Sequence, residues 1–394
     1  MRKPVLALAA AIVVGVFGCA SKEKTGMKIY VQQKLYDKAI IQGGQALAQN
    51  PNDGDTNYFM GAAYLGKDTE LDPEAPGYAD SSEIYLTKAY SYFTKAKELA
   101  EAAWGMSIDD NITSMFGRHY NLGVMGTKQG DNVTAATEYR LATIADPKNY
   151  QGYYARAAAL WALAQDAKEK GEDAQFEEYA NAILVDLDKV VEIGTDDKEE
   201  LIAVYQTKGD VLYMLGRLDD AQAAYTKAVQ LSPENYTLML TMANRFYNEQ
   251  DWQNAATYYQ DALSVKTRLN VIDERDAENY SALGNALSLL ERRPEAIDCF
   301  KKVLELKPND PTALYNMMVT HYKTGEAAEK GGDTATAKQH YNQAIELGNQ
   351  LIGMDPKKME YWQVRGFSKR GVGDTAGAAR DLTEYKNLRS AGGQ

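Results

Sequence analysis

One spacing of small and aromatic residues recurs along this chain, and it restricts the fold more than any other feature of the sequence. In residues 202–235 it consists of Gly209, Ala221, Tyr225, Ala228 and Pro233. Apolar residues at helical spacing on both sides of Gly216 predict two short amphipathic helices joined by a turn. Gly216 tolerates the positive φ that ends the first helix, and the proline stops the second. The small residues at 209 and 221 allow the helices to cross closely, with the tyrosine ring filling the space beside them.

The same frame of 34 residues fits three further windows of the sequence. They are 116–149 (Gly123, Ala135, Tyr139, Ala142, Pro147), 277–310 (Gly284, Ala296, Phe300, Val303, Pro308) and, in its second half only, 20–53 (Ala39, Ala46, Pro51). A pair of helices with two apolar faces cannot bury both alone, so it needs a similar neighbour on each side. The sequence therefore predicts a stack of helical hairpins.

This pattern resembles the tetratricopeptide repeat family over nearly all of residues 19–394. The resemblance implies an all-α fold, a right-handed α-α superhelical solenoid of about nine helical hairpins. Hairpins two, four and eight are expected to be longer than the others. In the second hairpin we expect a helix from about Ser82 to Ala103, closed by Trp104 and Gly105. We also expect a turn at 109–111 before the third hairpin.

The first residues of the chain are typical of a targeting segment rather than of the fold. A basic start is followed by an apolar run, Val5 to Val16, that is shorter than the roughly 20 residues of a membrane span. We therefore interpret residues 1–18 as a secretory signal peptide. The end of this segment, Gly18 followed by Cys19, resembles a bacterial lipobox. That resemblance implies that Cys19 becomes the mature N-terminus and carries acyl chains such as palmitate; an ordinary signal peptide with an unmodified cysteine is the alternative.

A lipid anchor would place the protein in the cell envelope, attached to the membrane through its acyl chains. In a diderm bacterium the expected location is the outer membrane, facing the periplasm. The formal net charge of −12 argues against nucleic acid as a partner, because nucleic acid selects basic surfaces. The second cysteine, Cys299, has no internal partner for a disulfide, and we expect it to be a small buried residue.

The sequence contains no readable catalytic, metal or cofactor constellation. Glycine-rich phosphate loops and serine, histidine and acid motifs are absent from it. His119 falls near a core-facing position, and His321 and His340 share one hairpin without carboxylates at ligand spacing. We expect all three histidines to be structural or solvated, and we predict that the protein is not an enzyme.

The family resemblance supplies a candidate binding surface, because the first helix of each hairpin lines the concave face in this family. The positions that would point into a partner-binding groove are Tyr120, Tyr154, Trp161, Gln206, Tyr213, Asn244, Tyr247, Asn285, Tyr315, Asn316 and Tyr322. Aromatic rings supply contact area, and side-chain amides bond a peptide backbone in both directions, so this composition suits a polypeptide. The alternative is that many of these rings pack on neighbouring helices.

One peptide-binding form of the family grips a C-terminal carboxylate with asparagines and lysines. Asn285 and Asn316 occupy two of the asparagine positions, but Glu360 and Val364 stand at the cationic ones. We therefore expect the groove to favour a neutral or basic segment over an acidic tail.

These features favour a lipid-anchored envelope scaffold that binds other proteins and assists in the assembly or stabilisation of an envelope complex. The alternative is a ligand-capture subunit that works with a transporter. A closed pocket ringed by Tyr154, Trp161 and Tyr213 would favour that second interpretation. The oligomeric state does not follow from the sequence.

Overall fold

The computed structural model describes residues 22–391, and the chain divides into two compact units that meet between Ala228 and Val229. Every regular element in the described range is an α-helix. The helices up to the division are α1 (Lys22–Gln32), α2 (Tyr36–Gln49), α3 (Gly54–Thr69), α4 (Tyr78–Gln129), α5 (Asn132–Ala145), α6 (Tyr150–Lys170), α7 (Asp173–Ile193), α8 (Lys198–Met214) and α9 (Leu218–Leu231), the last of which crosses it. Those that follow are α10 (Tyr236–Asn248), α11 (Trp252–Arg268), α12 (Asp276–Leu289), α13 (Arg293–Leu306), α14 (Pro311–Lys330), α15 (Thr334–Met354), α16 (Met359–Val372) and α17 (Thr375–Ala391).

With α4 counted as two helices joined at a kink, the described chain contains nine helical hairpins. The predicted all-α hairpin fold is confirmed. The long hairpins are also where the sequence places them, since α6 and α7 have 21 residues each and α12 and α13 have 14. The predicted signal peptide and Cys19 lie outside the described residues. Within that range, no helix combines the length and the apolar character that crossing a membrane would need.

The break between the second and third hairpins occurs earlier in the chain than expected, at Ala100, and the expected turn at 109–111 is wrong. Helix α4 continues for 52 residues, and its only non-helical backbone is at Ala100, where φ is −149° and ψ is 42°. Trp104, Gly105 and residues 109–111 are therefore helical. The indole of Trp104 stacks on Tyr58 at 4.0 Å between ring centroids and donates to Asp55 at 2.7 Å. These contacts fix the second half of α4 against α3 directly after the kink.

Close packing within a hairpin depends on a glycine that faces an aromatic ring. A Cβ added at Gly209 would lie 2.4 Å from the ring of Tyr225, and one at Gly284 would lie 2.7 Å from Phe300. The ring of Tyr225, which was expected beside the crossing, is thus the group that a side chain at position 209 would meet first. The same pairing occurs between Gly61 and Phe93, Gly123 and Tyr139, and Gly325 and Tyr341.

Local signals define the ends of several helices. Gly216 has a φ of 73° in the turn between α8 and α9, a value that is unfavourable for residues with a Cβ atom. The Asp310 carboxylate caps α14 by accepting from the Ala313 N–H at 2.7 Å, and Pro311 occupies the first turn. Cys299 is buried on α13, and burial raises the pKa of its thiol to about 12, which agrees with an inert packing residue.

Candidate partner-binding groove and a buried ionic cluster

In the second unit, the first helices of three consecutive hairpins enclose an open pocket of about 340 Å³. Four of its lining residues were predicted for the groove, namely Tyr247, Asn285, Tyr315 and Asn316. The other lining residues are Ser288, Leu289, Phe300, Val319 and Thr320. The pocket joins α10, α12 and α14, because groove positions on successive first helices lie side by side, and Phe300 of α13 completes its lining. We refer to these nine residues as the second-unit groove.

The polar groups of the second-unit groove are uncharged and only partly used. The Asn316 amide donates to the Asn285 side-chain oxygen at 2.9 Å. The hydroxyls of Ser288 and Thr320 are 3.2 Å apart, and Thr320 also donates to the Asn316 carbonyl at 2.7 Å. Among the described residues, the Asn285 amide nitrogen and the Asn316 side-chain oxygen have no further hydrogen bond. The pair therefore presents one free donor group and one free acceptor to the pocket.

Apolar surface surrounds these amides. Leu289 is 57% exposed, which is unusual for a leucine beside tyrosine rings. The ring of Tyr315 packs against Tyr361 of α16 with centroids 5.7 Å apart. An apolar wall with a few convergent polar groups is typical of a binding surface.

Glu360 adjoins one end of this surface, because it directly precedes Tyr361, whose ring packs against Tyr315. Burial raises the pKa of Tyr315, and the nearby charges of Glu360 and Tyr361 add to the effect. Glu360 is half-exposed on α16, whereas Val364 on the same helix is buried. The two residues that replace the cationic positions of the carboxylate clamp therefore supply one negative charge and one packing contact.

The remaining predicted groove residues divide between surface and packing. Tyr120, Tyr154, Trp161, Gln206 and Tyr213 are half-exposed on first helices of the first unit. The ring of Tyr120 contacts Tyr139 at 5.4 Å, so it also packs within its hairpin. Burial raises the pKa of Tyr120 and of Tyr154, and the charge of Glu200 contributes at both, so these tyrosines lie near one carboxylate. In the second unit, exposed Asn244 accepts from the Tyr259 hydroxyl, and Tyr322 donates to Glu326 at 2.7 Å.

A buried ionic cluster in the first unit was not predicted. The His119 ring is fully buried between two carboxylates, with Nδ1 2.7 Å from Glu138 Oε2 and Nε2 3.1 Å from Asp68 Oδ2. The Ser82 hydroxyl donates to Asp68, and Arg118 donates to the Asp68 carbonyl at 3.1 Å. Asp68 is 51 residues from His119 along the chain and Glu138 is 19 away, so no local spacing indicates the cluster. The core-facing position of His119 was the only available signal.

The cluster joins α3, both halves of α4 and α5. Burial alone would lower the pKa of His119, but hydrogen bonds and charges from Asp68 and Glu138 outweigh it and raise the pKa. Both ring nitrogens are engaged by carboxylates, and Ser82 is bonded to Asp68, so the arrangement stabilises helix packing and offers no free base. Within the described residues, no three histidine, cysteine, aspartate or glutamate side chains are placed to hold a metal ion.

The other two histidines form a close pair between α14 and α15, the two helices of one hairpin. His321 is buried on α14, and its Nδ1 lies 2.9 Å from Nδ1 of His340 on α15. One of these nitrogens must carry a proton and the other must accept it, so at least one ring of the pair is neutral. Burial, His340 and Lys301 lower the pKa of His321 to about 4, and burial lowers that of His340.

We expect the second unit to lose stability as the pH falls from about 6.5 to about 4. The unfolded chain binds a proton at His321 in this window and the folded chain does not, so acidification favours unfolding by up to about 3 kcal/mol. The contribution of His119 to the pH dependence of stability has the opposite sign, because its raised pKa favours the folded state at low pH. Ring NMR can follow all three histidines: two should titrate below 6.5 and one above, and His321→Gln should remove one of the low ones. Three rings titrating together near 6.5 would contradict this.

Comparison with known proteins identifies the repeats. The tetratricopeptide repeat model matches residues 202–235 and 277–310, and a second model of the same repeat matches 320–347. Photosystem I assembly protein Ycf3 from Synechococcus elongatus is 38% identical over 110 residues, which cover 27% of this chain and 59% of that protein. Ycf3 from Synechococcus sp. strain CC9605 is 29% identical over 112 residues, which cover 28% of this chain and 61% of that protein. The chain thus spans about three fifths of the length of these relatives.

Solved structures with partial likeness include the C-terminal part of a TPR repeat-containing protein from Cytophaga hutchinsonii. It has a TM-score of 0.40 and 18% identity, and covers 68% of this chain and 95% of that one. YrrB, described as a TPR protein with an unusual peptide-binding site, has a TM-score of 0.37 and 17% identity. The likeness covers 52% of this chain and 92% of that one. Together with the hairpins described above, the family matches lead to one conclusion: residues 202–235, 277–310 and 320–347 are tetratricopeptide repeats of an α-α superhelical fold.

Proposed function

We propose that this protein is a lipid-anchored scaffold of the cell envelope that binds other proteins through its first-helix surfaces and assists the assembly or stabilisation of an envelope complex. Tetratricopeptide repeats act in protein–protein interaction, and solenoids of this kind use extended surfaces for binding. The observation that carries the proposal is the second-unit groove, where exposed Leu289, tyrosine rings and a half-used asparagine pair converge. The similarity to Ycf3 supports an assembly role, since that relative is named as an assembly protein.

The lipid anchor is tested by Cys19→Ser. We expect this variant to remain unacylated and to leave the membrane fraction, because the thiol is the acceptor of the lipid and the acyl chains supply the membrane affinity. Mass spectrometry of the mature N-terminus and fractionation of cells report the result. Cys299→Ser is the matched control and should stay membrane-bound. A Cys19→Ser protein that still sediments with membranes would contradict the anchor.

The binding surface is tested by replacing Tyr247 and Tyr315 together with alanine. We expect capture of a stoichiometric protein partner to fall by about tenfold or more, because buried tyrosines at the centre of an interface carry much of its energy. Crosslinking pull-down from native envelopes, with the anchored protein as bait, measures the capture. Tyr385→Ala, on the second helix of the last hairpin, is the control, and circular dichroism should show the same helicity in every variant.

Two outcomes of that pull-down would redirect the proposal. Unchanged capture by the double variant would place the partner site elsewhere on the chain. A small molecule that co-purifies in place of a protein would favour the ligand-capture alternative and direct attention to Tyr154, Trp161 and Tyr213.

A further inference from the structure

The second-unit groove lacks the positive charge that binding an acidic partner would need. Among the described residues that line its pocket, none is charged. Glu360 directly precedes Tyr361, whose ring packs against Tyr315 with centroids 5.7 Å apart, and its carboxylate forms no ion pair with any described residue. A ligand approaching this end therefore meets an uncompensated negative charge.

The cations on the same helix are already engaged. Arg365 donates to Asp381 at 2.7 and 2.8 Å, and Lys369 lies 3.0 Å from the same carboxylate. The guanidinium of Arg370 lies over the ring of Phe367, 5.1 Å from its centroid. Arg365 and Lys369 thus share one carboxylate of the last hairpin, and Arg370 lies ten residues beyond Glu360, so none of these cations neutralises Glu360.

We propose that the second-unit groove binds an extended segment of a partner protein that carries an aliphatic side chain next to a lysine or arginine, with the cation at Glu360. This inference rests on the proposed function of the groove as a protein-binding surface. It specifies an internal, uncharged-to-basic segment and rejects a C-terminal carboxylate.

The uncharged part of the groove fits the main chain and the aliphatic side chain of such a segment. The free Asn285 amide nitrogen donates to a peptide carbonyl, and the free Asn316 oxygen accepts from a peptide N–H. Leu289, Val319 and the tyrosine rings line the space of about 340 Å³ that receives the aliphatic group. Desolvating apolar surface there favours binding, and the amide contacts fix the direction of the chain.

The charged end of the groove determines specificity. A lysine or arginine beside Glu360 gains a charge-assisted hydrogen bond. An acidic residue or terminal carboxylate at that place meets a like charge, which opposes binding. The net charge of −12 on the chain acts in the same direction at long range.

The test is selection of binders from a library of short randomised segments, each flanked on both sides by neutral linkers, against the full chain. We expect enriched segments to carry lysine or arginine next to an aliphatic residue and to lack acidic residues. For an enriched segment, Glu360→Gln should weaken binding about tenfold, the effect of losing one hydrogen bond to a charged group. Glu360→Lys should reverse the preference, so that acidic segments are enriched.

One control variant and the outcomes that follow test the inference separately from the groove itself. Glu346 is an exposed residue of α15, and Glu346→Lys makes the same change in net charge as Glu360→Lys. It should leave the preference for basic segments unchanged; a reversal in this variant would overturn the inference. Enrichment of acidic segments by the unmodified chain, or an unchanged preference in Glu360→Lys, would also overturn it while leaving the groove as a binding surface. If Tyr247→Ala with Tyr315→Ala enriches the same segments as the unmodified chain, or if nothing is enriched, the proposed groove fails as well.

Discussion

Replacing His119 with leucine is expected to destabilise the first unit by about 3–5 kcal/mol, the usual cost of removing one partner from a buried ionic group. Leucine fills much of the space of the imidazole but cannot donate to the carboxylates on either side. The Asp68 carboxylate would keep the bond from Ser82 and the ion pair with Arg118 at 3.8 Å, whereas Glu138 would lose the hydrogen bond that the ring nitrogen makes at 2.7 Å. A buried carboxylate must then take up a proton or open the packing to water.

Amide hydrogen exchange followed by mass spectrometry is the suitable measurement, because a chain of repeats opens locally and a single unfolding midpoint does not describe it. Protection should fall in α3, α4 and α5, the helices that the cluster joins. Adding Asp68→Asn and Glu138→Gln to His119→Leu should restore part of the protection, since neutral amides cost less to bury than unpaired charges. His340→Leu is the control for loss of a histidine outside the first unit. Unaltered exchange in α3 to α5 of the single variant would show that the imidazole is dispensable.

Much of the hairpin architecture could be predicted because it depends on local rules. Gly216 marks a turn, and Asp310 with Pro311 marks the start of α14, since each acts on backbone groups within a few residues. The groove positions on α12 and α14 came from the family resemblance, which implies the face that each first helix turns toward the groove. A helix of known phase fixes which residues share a face, and Asn285 and Asn316 do meet in the structure.

Features that depend on distant partners were missed, because no rule that acts within a few residues indicates them. Trp104, Gly105 and the acidic run at 109–111 have the composition of a turn, yet they are helical because Trp104 stacks on Tyr58 and Lys97 pairs with Asp109 across the kink. Tertiary contacts here outweigh local preference. The ionic cluster around His119 likewise depends on residues from three helices, and its members look like ordinary surface charges when considered along the sequence.

The glycine–aromatic pairing within hairpins can be tested as a matched pair at Gly209 and Tyr225. We expect Tyr225→Ala to destabilise the first unit by about 3–5 kcal/mol, because a fully buried ring is lost together with its hydrogen bond to Asp210. Gly209→Ala should cost about 1–3 kcal/mol, since the added Cβ would lie 2.4 Å from the ring and force it to shift.

The informative variant combines Gly209→Ala with Tyr225→Leu. A leucine occupies less of the crossing than the ring, so the added methyl group fits, and the double variant should be more stable than the sum of its single changes by about 0.5–3 kcal/mol. Gly44→Ala in α2 is the matched control. Its Cβ would meet nothing within 4 Å, and the change should stabilise the helix by roughly 0.5–1 kcal/mol. Hydrogen exchange of α8 and α9 in the unmodified chain, the two single variants and the double variant gives the four free energies of local opening. Strictly additive single and double changes would show that the glycine at the crossing is not selected by the ring it faces.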